Sequence, residues 1–159
     1  MKGHAIAAAV WLGLVAAGYV AFDRLTGHAE PVGGCDGGGA PAEIVAPAAR
    51  DGHFYLDGAV NGAPVRFLVD TGASYVTVNE RVADAARLAG GVPANFETAA
   101  GPTAGRVVRR QRVDVACLGV EGVDVAVNPG LGDVGLLGQN FLRRFEVVQT
   151  RHELRLRVR

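Results

Sequence analysis

Phe67-Leu68-Val69 runs straight into Asp70-Thr71-Gly72-Ala73-Ser74, so an apolar strand ends by delivering one carboxylate into a tight polar turn. That restricts what can surround it. A buried aspartate is unstable as an anion unless nearby donors or a proton compensate it. Gly72 carries no side chain, which leaves room for another segment to approach the carboxylate. Asp70 is also solitary. Asp51 and Asp57 precede glycine directly, Asp114, Asp124 and Asp133 precede valine, and no second Asp-[Ser/Thr]-Gly occurs.

The flanking pattern is that of short strands and turns. Phe54, Leu56 and Val60 alternate with His53, Tyr55 and Asp57, which predicts a strand. Asn61-Gly62 predicts a two-residue hairpin, and residues 63–69 form the returning strand. Tyr75-Val76-Thr77-Val78 predicts a third strand, after which Asn79 caps a helix over 80–88 with Gly90 past its end. Residues 96–98 and 106–108 flank the small-residue tip 99–105, a pattern suited to a mobile hairpin. Residues 113–118 and 123–127 are expected to be strands about a turn at Gly119 to Gly122. Leu136-Leu137-Gly138 precedes a short helical stretch over 139–144, and Leu154, Leu156 and Val158 alternate with arginines. Such a chain is expected to be mainly β, a closed or nearly closed barrel with two short helices.

The N-terminal third reads differently. Residues 5–22 are 18 consecutive positions without a charge, about 27 Å as a helix and close to the thickness of a hydrocarbon core. Residues 1–23 are therefore expected to be a membrane anchor, with Lys2 ahead of its apolar run and the rest of the chain outside. A cleaved signal peptide ending near Ala16-Ala17-Gly18 is the rival reading. Ala9, Gly13, Ala17 and Ala21 fall on one helix face, a spacing that suits helix pairing and that an alanine-rich helix also produces by accident. Residues 24–50, interrupted by Pro31, Gly33, Gly34, Pro41 and Pro47, are expected to be a flexible linker, and 51–159 the folded domain.

Charge is balanced at 16 basic and 16 acidic residues, which argues against nucleic-acid binding as the main function. Six arginines from Arg143 onward face only Glu146 and Glu153, and a solvated strand face accounts for them. His4, His28, His53 and His152 are scattered, so no metal site is indicated. Cys35 and Cys117 make no disulfide framework, and a bridge between them is not expected.

Five pieces together resemble a known family: Gly52-His53-Phe54, Val60-Asn61-Gly62, residues 67–74, Phe96-Glu97-Thr98-Ala99, and Leu136-Leu137-Gly138-Gln139-Asn140-Phe141-Leu142. In that order they resemble the retropepsin-like aspartic proteases, and among them the bacterial membrane-anchored proteases of clan AA with an Asp-Thr-Gly-Ala motif. The resemblance implies a closed acid-protease barrel that uses no cofactor. It implies a homodimer in which Asp70 of each chain supplies one catalytic carboxylate. Thr71, Gly72 and Ala73 would support that loop, with Thr71 bonding across the two-fold axis. Thr98, Ala99, Ala100 and Gly101 would form a flap over a peptide or protein substrate bound as an added strand. Leu137 and Gly138 would brace the loop from behind. This sequence departs from the family pattern at Ala100, where asparagine is frequent, and at Gln139, where methionine is common.

These implications describe a single-pass inner-membrane endopeptidase with its catalytic domain in the bacterial periplasm. A non-proteolytic dimerising or peptide-binding module on the same fold is the alternative. Residues 154–158 are expected to be either a dimer-interface strand or an ordinary barrel strand. His53 has no task in an aspartic mechanism, and Glu97 is expected to be a surface residue beside the flap.

Overall fold

Asn61 and Gly62 both take positive φ, 48° and 83°, and turn the chain between β3 (Tyr55–Val60) and β4 (Ala63–Val69) as their dipeptide predicts. In this computed structural model the described residues are 31–32, 43–98 and 101–158. The anchor expected over residues 5–22 lies outside them. Among the described residues no helix is long and apolar enough to cross a membrane.

Asp70 closes β4, and β5 (Val76–Val78) leaves the turn that follows. Asn79 then caps α1 (Glu80–Ala85), its side chain accepting from Val82 N at 2.9 Å. The helix is shorter than its sequence suggests. Arg87 takes φ 56°, Arg87 N donates to Asp84 O and Leu88 N to Ala83 O, so the helix ends in a left-handed C-terminal cap before Gly90. Leu88 is thereby folded back and buried.

A long hairpin follows, made by β6 (Val92–Thr98) and β7 (Gly101–Val115). β7 runs on past the hairpin and turns at Ala116 and Cys117 into β8 (Leu118–Val127). This corrects the turn expected at Gly119 to Gly122. Ala116 takes a positive φ of 48° at the actual turn, and Gly119 lies buried within β8. β9 (Gly135–Leu137) and α2 (Gln139–Leu142) come next, and β10 (Phe145–Gln149) and β11 (Glu153–Val158) complete the chain.

The strands close into a six-stranded barrel in the order β8-β5-β9-β4-β3-β7, with β7 pairing back to β8. β4–β9 and β5–β8 are parallel pairs, which brings the ends of β4 and β9 side by side. Val60, Phe67, Val76, Val78, Val113, Val115, Leu118, Val120, Val125 and Leu137 are wholly buried in it. Alternation along each strand puts these side chains inside, and removing them from water drives closure.

Two features depart from the expected linker over 24–50. Glu43–Pro47 is a strand, β2, paired with β11, and its buried residues are Ile44 and Ala46. Pro31–Val32 forms β1 and pairs with Val120 and Gly119 of β8. Five residues alternating between two prolines give too short a pattern to stand out as a strand, and β11 supplies the missing partner. The cysteine expectation is also corrected. Cys117 is disulfide-bonded, and the sequence holds one other cysteine, Cys35, which lies outside the described residues. β1 runs antiparallel along β8 toward the Ala116–Cys117 turn.

β11 is the middle strand of a separate three-stranded sheet, β10-β11-β2. Both of its hydrogen-bonding edges are filled within the chain. This corrects the barrel-strand reading of residues 154–158: they form the centre of this second sheet, outside the barrel. Arg155 and Arg157 are half-buried against Glu43 and Glu153, so part of the C-terminal arginine excess is paired.

Candidate active site

Asp70 leaves the end of β4 where β9 ends beside it, and its backbone N–H donates to Leu137 O at 3.2 Å. The carboxylate is half-buried, and Oδ1 accepts from Gly72 N at 2.8 Å. A Cβ on Gly72 would lie 3.2 Å from that same oxygen, so glycine lets the backbone fold closely over the carboxylate. Ala73 N donates to Asp70 O at 3.3 Å and closes the turn. Thr71, Gly72, Ser74 and Tyr75 are exposed around it, Tyr75 at 37%.

The turn is held from behind by the segment that follows β9. Gln139 N donates to Ala73 O at 2.8 Å and Asn140 N to Ser74 O at 3.1 Å. Asn140 Oδ1 accepts from Val76 N at 2.8 Å, while its Nδ2 donates to Asp124 O at 2.6 Å on β8. Gln139 Nε2 donates to Thr71 O at 3.1 Å. Gly138 is buried where a Cβ would collide with Tyr75 O and Ala73 O. Leu137 fills the barrel beneath. The structure therefore brings Asp70, Thr71, Gly72, Ala73, Leu137 and Gly138 together. Asn140 and Gln139 belong to the same assembly, although their side chains carry no signal in the local pattern beyond standing just after a Leu-Gly turn.

The expected flap is the β6–β7 hairpin. Thr98 Oγ1 donates to Gly101 O at 2.6 Å across its tip; Ala99 and Ala100 lie outside the described residues. Arg106 fastens the hairpin base: it pairs with Glu80 of α1 at 2.5 Å and donates to Leu88 O at 3.4 Å. The Glu80 carboxylate holds the Arg106 guanidinium above its ordinary value, with burial acting against it. Gly105 packs under the Phe96 ring and against Val127 O, where no side chain fits.

His53 stands apart from the carboxylate chemistry. Its backbone N–H donates to Asp51 Oδ1 at 3.0 Å, and Tyr55 Oη donates to Asp51 Oδ2 at 2.8 Å. These donors, the His53 N–H first, hold the Asp51 carboxyl below its ordinary value, and the same bond raises the Tyr55 hydroxyl. Among the described residues no group of three or more His, Cys, Asp or Glu side chains could hold a metal ion.

The chain is similar to known proteins. A family model described as "gag-polyprotein putative aspartyl protease" matches residues 56–144, from β3 through the turn behind Asp70. An uncharacterized protein of Rickettsia prowazekii (strain Madrid E) is 31% identical over 116 residues. The match takes in 65% of this chain and 46% of that protein, so the chain spans about half the length of this relative. The crystal structure of a retropepsin-like aspartic protease from Rickettsia conorii is similar with a TM-score of 0.61 at 27% identity. It covers 75% of this chain and 93% of that one.

Proposed function

The chain belongs to the retropepsin-like aspartic proteases, and we propose that it is an endopeptidase whose active form is a homodimer with one Asp70 from each copy. The carrying observation is a half-buried Asp70 carboxylate under the Gly72 N–H in a braced turn, in a sequence with no second Asp-[Ser/Thr]-Gly. Two carboxylates about 3 Å apart cannot both ionise, so they share one proton and titrate as a unit. The ionised member takes a proton from a water molecule as that water attacks the peptide carbonyl carbon. The protonated member gives its proton to the carbonyl oxygen. The tetrahedral diol then collapses: a proton passes to the amide nitrogen, the C–N bond breaks, and an amine and a carboxylic acid leave. No covalent enzyme adduct forms.

Thr71 holds the two turns to each other across the two-fold axis in this reading, and the β6–β7 hairpin closes over an extended peptide. We also propose that residues 5–22 anchor the chain in a bacterial inner membrane, with the domain in the periplasm. Confinement to one membrane raises the concentration of each copy seen by the other.

The test uses the full-length chain with unfolded protein substrates between about pH 4 and pH 7. Asp70→Asn should abolish cleavage while leaving the circular dichroism spectrum and the sedimentation behaviour unchanged. Persistence of cleavage in that variant would sink the assignment. Absence of cleavage by the wild-type dimer would favour a peptide-binding module instead.

A further inference from the structure

One peptide plane at the site is gripped at both ends. The Thr71 carbonyl accepts from Gln139 Nε2 at 3.1 Å, and the N–H of the same peptide unit, on Gly72, donates to Asp70 Oδ1 at 2.8 Å. In a trans peptide these two groups point in opposite directions, so the two bonds act along one dipole. A donor on the carbonyl polarises the amide and strengthens its N–H as a donor. It also resists rotation of the plane about its flanking bonds, the motion that would swing the N–H away from the carboxylate.

The other ties between the two turns leave this plane untouched. Asp70 N, Gln139 N and Asn140 N bond to the carbonyls of Leu137, Ala73 and Ser74. They fix where the turn sits, not how the Thr71–Gly72 peptide is rotated within it. Among the described residues the Gln139 side chain reaches that peptide, and it starts from a backbone packed through Gly138 against Tyr75 and Ala73. Methionine has nearly the same length and no N–H, so it fills the same space without making the bond.

We propose that Gln139 is a positioning residue for Asp70, acting through the Thr71–Gly72 peptide to hold the N–H that carries the carboxylate. This rests on the protease reading of the site. Gln139 is exposed, so water competes for the Thr71 carbonyl. The consequence is a matter of orientation at the reacting group, with substrate contacts unaltered, and it belongs in kcat and not in KM.

Two readouts on the full-length chain test it. By NMR the Gly72 amide proton of Gln139→Met should move upfield and exchange faster with solvent. In turnover assays kcat should fall about tenfold with KM unchanged, at a dimer population checked by sedimentation. Gln139→Glu should restore both the Gly72 shift and kcat below about pH 4, where its carboxyl is protonated and can donate, and lose both above that. An unmoved Gly72 amide in Gln139→Met overturns the proposal, as does a loss of rate fully explained by weaker dimerisation. If the wild-type chain cleaves nothing, the protease reading fails. The Gly72 amide then decides alone whether Gln139 holds the peptide.

Discussion

Gly138 has little freedom beside the site, and the reason is room, not backbone angle. A methyl group there would occupy the space of the Tyr75 and Ala73 carbonyl oxygens, both belonging to the turn that presents Asp70. Gly138→Ala must push that turn outward and break the bonds from Gln139 N and Asn140 N. A cost of about 3 kcal/mol or more is expected, as for overpacking of a filled interior with loss of buried hydrogen bonds. Thermal melting reads the destabilisation. Activity should fall even at temperatures where the variant stays folded. A melting point within a degree or so of wild type would show that the turn yields more readily than its packing implies.

At the scale of elements, the three-stranded sheet carries a pH-sensitive tie. The bond from Arg157 holds the Glu43 carboxyl below its ordinary value of 4.5, with Arg155 adding to it and burial opposing it. A folded value below the unfolded one means the stabilisation is present above about pH 4.5 and is lost as pH falls through the lower, folded value. The melting temperature should therefore drop as pH is taken from about 5 to about 3, and Glu43→Gln should flatten part of that drop. A variant as acid-sensitive as wild type would show that Glu43 has no share in it. Much of this architecture was legible in the chain. Asn61-Gly62 announced its hairpin, Asn79 its cap, and Phe67-Leu68-Val69 the strand that carries Asp70, because each rests on neighbours in sequence. β2 was not legible, since alternation over 43–47 means little until β11 lies beside it. The glycines of β8 drew the turn away from Ala116, whose positive φ is imposed by the hairpin and not by its residue type. Within the site, the grip of Gln139 and Asn140 on residues more than sixty positions earlier leaves no local period to read.

For the whole molecule, the disulfide at Cys117 matters most. With Cys35 as the one other cysteine, the bridge closes a loop of about 80 residues, and opening it should cost about 2–4 kcal/mol of stability. The melting temperature with and without reductant measures this, and identical values would show that the bridge adds nothing. β1 on β8 means the incoming chain is also strapped to the barrel wall before it enters the domain at β2. A nick between Cys35 and β2 would therefore not separate the molecule. The severed protein should migrate as one species on a non-reducing gel and as two once reduced. If residues 5–22 are the anchor proposed above, shedding of the domain from the bilayer by a cut at that point needs an electron donor as well as a protease.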